Sequence, residues 1–253
     1  MSAGEYLKRL FLVRKCISCR EILDYKHFDG ALCAKCRDAF EAAKTQSCPK
    51  CFGAACECSC QPSMLSKSGS LTLRKLFFYS AENDNEPQNK LIYFLKHNPN
   101  KRGFEFCAEQ IWNMLKDELE SLELKSVCDE MFVVNMPRGR ASVRQYGFDQ
   151  SAEICKALSR ISGIPYVKAL SRKNGGKEQK KLNAAQRREN VSGKIYPHEK
   201  ALVDVNGKYA ILFDDVVTTG ASMESCIKIL RKMQVKGVIC VALATDLKNK
   251  GAR

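Results

Sequence analysis

Apolar positions along this chain alternate between two periods. Short continuous runs with the length of buried strands stand at Leu76–Tyr79, Met131–Val134, Ile164–Leu170, Ala210–Phe213 and Val238–Leu243. Between them the spacing changes to three and four. Leu91, Ile92 and Leu95 form one such set, and Phe104, Ala108, Ile111, Leu115, Leu119 and Leu122 a longer one. Ile154, Leu158 and Ile161 follow, then Cys226, Ile229, Leu230 and Met233. Each set makes one apolar face of a helix. Trp112 lies beside the longest stripe and is expected to anchor the core, while Asp149 stands where it can cap the third helix. Strands alternating with helices predict an α/β fold, a mainly parallel sheet flanked by helices, over residues 71–253. Residues 63–70, small, polar and without period, read as a linker. Residues 1–62 then form a separate, smaller module.

The run Ala210–Phe213 ends in two adjacent carboxylates, Asp214 and Asp215, followed by Val216, Val217, Thr218, Thr219, Gly220, Ala221 and Ser222 at a helix start. The first N–H groups of a helix have no internal partner and point out of its positive end, so such a turn receives anions. Gly220 permits close backbone approach, and Thr218, Thr219 and Ser222 add hydroxyl donors. The paired acids suit neighbouring sugar hydroxyls or a Mg²⁺ carried by phosphates. A ribose 5-phosphate satisfies both halves. The run Met131–Val134 feeds a second loop, Asn135–Phe148, with Arg138, Arg140 and Arg144 and no acids. Arg138, Arg140 and Arg144, with the Gly139 backbone, could supply donors to a further anionic group of the ligand. In open α/β sheets ligands bind beyond the carboxyl ends of the strands, where both loops fall.

Nine of the fourteen cysteines lie in the first sixty residues. Cys16, Cys19, Cys33 and Cys36 form two Cys-x₂-Cys knuckles, the pattern of four thiolates closing on a structural zinc. Cys48 and Cys51 open a second cluster, completed from Cys56, Cys58 and Cys60. Spacing does not decide which two of those three join it. One or two structural Zn²⁺ ions are expected, serving folding rather than catalysis.

Lys and Arg number 42 against 28 acids, a formal charge of +14. That excess favours anionic partners without choosing among them. Eight basic residues and one acid lie between Lys168 and Arg188. The apolar run near the N-terminus is too short for a secretory leader, and no stretch is long enough to span a bilayer. A cytoplasmic protein without membrane insertion is expected.

The stretch from Ala210 to Ser222 resembles the PRPP-binding signature of type I phosphoribosyltransferases. Taken with the cysteine module, almost the whole chain resembles the ComF family of competence-associated proteins, which join a zinc ribbon to a type I domain. Where that family shows Val-Pro and later Arg-Gly-Phe-Asn-Gln, this chain has Met136-Pro137 and Tyr146-Gly147-Phe148-Asp149-Gln150. A further family signature fits Gln179, Leu182, Arg187 and Asn190. The resemblance implies that Asp214 and Asp215 hold the ribose 2′- and 3′-hydroxyls, that Thr218 to Ser222 wrap the 5′-phosphate, and that Val216 and Val217 belong to the same substrate-binding stretch. It implies a mobile lid over PRPP around Gln179 and Arg187, and Mg²⁺ brought with PRPP. It also implies a role in DNA uptake during natural transformation, with single-stranded DNA and a competence helicase or translocase as partners. Ribosyl transfer to an unidentified acceptor, a non-catalytic DNA-binding adaptor, and a nucleotide-salvage enzyme all stay open at this point.

Overall fold

A computed structural model of the protein describes residues 12–79, 85–120, 126–173 and 195–246. Helices α1 (Ala34–Lys44) and α2 (Ser63–Ser68) precede strand β1 (Ser70–Tyr79). Helices α3 (Pro87–His97), α4 (Lys101–Glu120) and α5 (Val127–Glu130) lead to β2 (Met131–Asn135), and α6 (Arg140–Tyr146) and α7 (Gln150–Ser162) follow it. After the antiparallel pair β3 (Leu170–Arg172) and β4 (Ile195–Pro197) come α8 (Leu202–Val205), β5 (Tyr209–Val217), α9 (Ala221–Lys232) and β6 (Gly237–Asp246).

β1, β6, β5 and β2 form, in that order, a parallel sheet with helices on both faces. Alternation along each strand sorts the core into two layers. Ile211 and Phe213 of β5 join Ile239, Val241 and Leu243 of β6 on one face, with Ile111 and Leu115 of α4 and Ile154 of α7. Ala210 and Leu212 join Val238 and Cys240 on the other, against Cys226, Ile227 and Leu230 of α9. Burial on both faces is why these strands read as continuous apolar runs.

The β2–β5 ladder ends at Asn135 opposite Phe213, while β5 continues beside β6 to Val217. Met136 donates the last N–H, to the Phe213 carbonyl at 2.8 Å. Pro137 has no N–H to give, and the chain diverges into the arginine loop. A crevice therefore opens just beyond the last paired position, at Asp214 and Asp215. The chain leaves β2 outward, where Tyr166 bridges Val133, and leaves β5 toward β6. This is the topological switch point at which such sheets bind ligands.

Several local expectations change. The expected linker contains α2, whose Leu65 is fully buried. The strand expected over Ile164–Leu170 shrinks to the Tyr166 bridge and short β3, since Pro165 within it cannot donate to a ladder. The loop after β2 holds the exposed helix α6, closed by Gly147 at φ 79°. The cysteine-rich segment packs on the sheet in two places, with Cys48, Ala55 and Cys58 clustered against Phe78 of β1. Ile17, Leu23 and Phe40 belong to the same apolar layer as the sheet, and the Phe40 ring lies 5.6 Å from Phe77 and 5.2 Å from Phe106. Among the described residues no helix is long and apolar enough to cross a membrane.

Candidate functional site

Asp214 and Asp215 line a cleft of about 170 Å³ with Lys96, Arg138, Gln150, Arg172 and Ser222. Three chain segments thus converge on the end of β5. Lys96, in the last turn of α3, places its Nζ 3.7 Å from Asp215 Oδ2. With Lys96 nearly half exposed, this pair contributes little stability but sets the polarity of the cleft. The Asp214 carboxyl is enclosed, although the residue keeps some surface. Burial pushes its pKa well above the usual carboxylate range, and the neighbouring Asp215 charge pushes the same way. The Asp215 N–H, donating to Asp214 Oδ1 at 2.9 Å, offsets part of this. Two adjacent carboxyl groups with several acceptor positions suit neighbouring hydroxyl groups.

Val216 is half-buried, Val217 is buried, and Thr218 and Thr219 are exposed in the turn that starts α9. Gly220 caps that helix at φ 80°, in the left-handed region open to glycine. A Cβ built there would stand 2.8 Å from Leu65 Cγ, so α2 braces the turn from beneath. The Ala221 N–H donates to Thr219 Oγ1 at 3.4 Å. Ser222, in the first turn of α9, brings its positive end to the cleft.

On the opposite wall, Asp149 caps α7 and fastens three segments at once. Its Oδ1 accepts from the Ala152 N–H at 3.3 Å, and its Oδ2 from Asn135 Nδ2 at 3.3 Å and the Arg138 N–H at 3.4 Å. The Arg138 guanidinium lies over the Tyr146 ring, 4.9 Å from its centroid, and Tyr146 packs edge-on to His97. Tyr146 thus orients a neighbouring cation rather than supplying one. Gly139 caps α6 with open space around it, and Arg140 is exposed and lines an adjoining cavity instead of the acid-lined cleft. Gln179 and Arg187 lie outside the described residues.

Residues 152–253 match the phosphoribosyl transferase domain family. The parallel sheet, with acids at the end of β5 and a glycine turn into α9, is a type I phosphoribosyltransferase-like domain. No curated protein sequence matches the chain. Among solved structures it resembles glutamine PRPP amidotransferase from B. subtilis, complexed with ADP and GMP, at 19% identity and a TM-score of 0.39. That likeness covers 62% of this chain and 30% of the other. Hypoxanthine phosphoribosyltransferase from Trypanosoma cruzi in a ternary substrates complex is similar at 14% identity and a TM-score of 0.36, covering 60% and 72%. The chain spans about a third of the amidotransferase's length.

Beside the phosphoribosyltransferase-like domain, two cysteine quartets could hold zinc. The Sγ atoms of Cys16, Cys19, Cys33 and Cys36 all lie within 4.8 Å of one another, and so do those of Cys48, Cys51, Cys58 and Cys60. Cys56 stands outside the second quartet, and its carbonyl accepts from Arg74 at 2.9 Å. The geometry fits thiolate ligands. Backbone N–H groups of Lys50 and Cys60 point at the Cys48 and Cys58 sulfurs, each at 3.4 Å. Arg20 and Phe52, each directly after the second cysteine of a knuckle, adopt positive φ of 68° and 59°. Such backbone strain persists where its surroundings enforce it, as a closed metal site would. Lys75 of β1, 1% exposed, donates to the Cys58 and Cys60 carbonyls at 2.8 and 2.9 Å and to Cys58 Sγ at 3.0 Å. A buried ammonium needs such partners, and a zinc held by four thiolates carries net negative charge for it to offset.

Lys96, Gln150, Arg172 and Lys75 were not singled out from sequence. Lys96 follows an apolar stripe and Lys75 stands next to Arg74 at the start of an apolar run, and only the fold brings them to the acids and the sulfurs. Gln150 stood inside a quoted motif, without a role to separate it from its neighbours.

Proposed function

We propose that this chain binds PRPP and transfers its ribosyl group to an acceptor. The observation that carries the reading is the meeting of Asp214, Asp215 and Ser222 with Lys96, Arg138 and Arg172 in one cleft at the switch point of the sheet. Asp214 and Asp215 hold the ribose hydroxyls, and the turn Thr218–Ser222 with the start of α9 takes the 5′-phosphate. Arg138 and Lys96 face the diphosphate, with which Mg²⁺ enters as part of the substrate. The C1–O bond breaks with its electron pair leaving on diphosphate. A lone pair of the acceptor forms the new bond to C1, and the acceptor gives up a proton. Fixed charges around the ring favour the developing oxocarbenium ion, and the cations offset charge on the leaving group. Calorimetric titration of PRPP with Mg²⁺ tests this. Wild type should bind and Asp215→Ala should lose at least tenfold in affinity. Absent binding, or binding indifferent to Asp215, refutes the reading.

The finer reading is a ComF-type cytoplasmic protein acting in DNA uptake. Its support is the charge of +14 and a basic cavity of about 480 Å³ that shares Arg138 and Arg172 with the cleft and adds Arg140, Arg144, Lys156 and Lys168. A non-catalytic adaptor would engage the backbone of single-stranded DNA there, with affinity falling steeply as salt rises. Anisotropy of a labelled oligonucleotide across salt concentrations separates that use from nucleotide salvage, for which diphosphate release would depend on a free base.

A further inference from the structure

Gln150 opens α7 and is 2% exposed, and among the described residues neither its carboxamide oxygen nor its nitrogen has a hydrogen-bond partner. Buried polar groups are almost always paired, and leaving one unpaired costs on the scale of a lost hydrogen bond. Arg138 Nη1, on the same cleft, is buried without a hydrogen bond among the described residues as well, whereas Asn135 nearby is fully engaged. Asn135 donates to the Met136 carbonyl and to Asp149, and its Oδ1 accepts from the Tyr166 hydroxyl at 2.8 Å. Gln150 is one of the residues lining the cleft that holds Asp214, Asp215 and Ser222, with its amide buried just behind that wall. Its position is fixed by the Asp149 cap one residue earlier, which ties α7 to both Asn135 and Arg138. An unpaired donor–acceptor group held by a fixed helix start at the wall of a cleft is placed to take a ligand there with a small side-chain adjustment.

We propose that Gln150 binds the ribose hydroxyls, completing a three-residue reader with Asp214 and Asp215. The proposal rests on the ribose-phosphate reading of the cleft. A carboxamide presents two N–H donors and one carbonyl acceptor. A phosphoryl oxygen only accepts, and would leave the carbonyl unpaired. A hydroxyl both donates and accepts, so a vicinal pair satisfies the two ends together. The site then discriminates ribose from 2-deoxyribose, because the deoxy sugar leaves one end of the buried amide without a partner.

Calorimetry on the full chain with ribose 5-phosphate and 2-deoxyribose 5-phosphate tests this, with thermal unfolding of the same samples. Wild type should prefer the ribose compound. Gln150→Met keeps the length and removes both polar ends. It should weaken ribose 5-phosphate binding by roughly tenfold or more and narrow the preference over the deoxy sugar. The melting temperature should hold or rise, because no orphan amide remains, whereas a structural role for Gln150 would lower it. Gln150→Leu repeats the measurement with a differently shaped side chain. Wild-type binding with unaltered affinity and preference in both variants overturns the role of Gln150 alone. A wild type that binds neither sugar phosphate nor PRPP overturns the ribose-phosphate reading and this inference with it.

Discussion

Replacing Gly220 by alanine probes the bracing of the anion turn by α2. At φ 80° an L side chain costs roughly 1–2 kcal/mol relative to glycine. The new methyl would also stand 2.8 Å from Leu65 Cγ and 3.2 and 3.3 Å from its two Cδ atoms. Leu65 is fully buried and cannot swing into solvent, so this overlap adds about 1–3 kcal/mol. The total for Gly220→Ala is then about 2–5 kcal/mol. Leu65→Ala alone leaves a cavity and costs a further ~2–5 kcal/mol. In the double variant the overlap disappears, leaving the backbone penalty and the Leu65 cavity. The two costs should therefore fall short of additivity by about 1–3 kcal/mol. Urea unfolding followed by the single tryptophan, Trp112, packed against the sheet core, measures each corner of the cycle. Costs that add within about 0.5 kcal/mol would show that Leu65 does not brace the turn, and the geometric reasoning fails.

Two further outcomes follow from buried charges. Lys75→Met removes the ammonium that reaches Cys58 and Cys60, so zinc content measured by atomic emission should fall by about one ion per chain, leaving the Cys16 quartet loaded; full retention of metal refutes a role for Lys75 in the second quartet. Asp214 keeps its proton to higher pH in the folded chain than in the unfolded one. Its favourable contribution is complete below the ordinary carboxylate value, about 4, and is lost as pH rises through the raised folded value. Asp214→Asn, which does not titrate, should therefore gain stability relative to wild type as pH rises toward neutrality, while losing sugar-phosphate affinity. A stability difference that stays constant with pH in urea titrations contradicts the buried, proton-holding carboxyl.

Local pattern carried much of this molecule. The strand, turn and helix around Asp214 to Ser222 were legible because apolar runs, a glycine and a three-four stripe each report backbone conformation within a few residues. The capping role of Asp149 was visible for the same reason. α2 was missed because Ser63–Ser68 is held by the burial of Leu65 under a distant turn rather than by its own composition. The strand at Ile164–Leu170 was overread because Pro165 permits a single bridge where the apolar content suggested a ladder.

By itself the sequence determined the parallel α/β arrangement, the acid pair at a strand end before a glycine turn into a helix, and the first cysteine quartet, since each depends on residues close together along the chain. Tertiary structure alone decided that Cys58 and Cys60, not Cys56, complete the second quartet. It also decided that Lys96 meets Asp215, that Leu65 supports Gly220, and that the Gln150 amide lies buried behind the cleft wall without a partner among the described residues. These relations join residues far apart in sequence, and no periodicity encodes them. They arise where the β2–β5 ladder stops, Pro137 turns the chain away, and elements from across the molecule close around the exposed end of one strand.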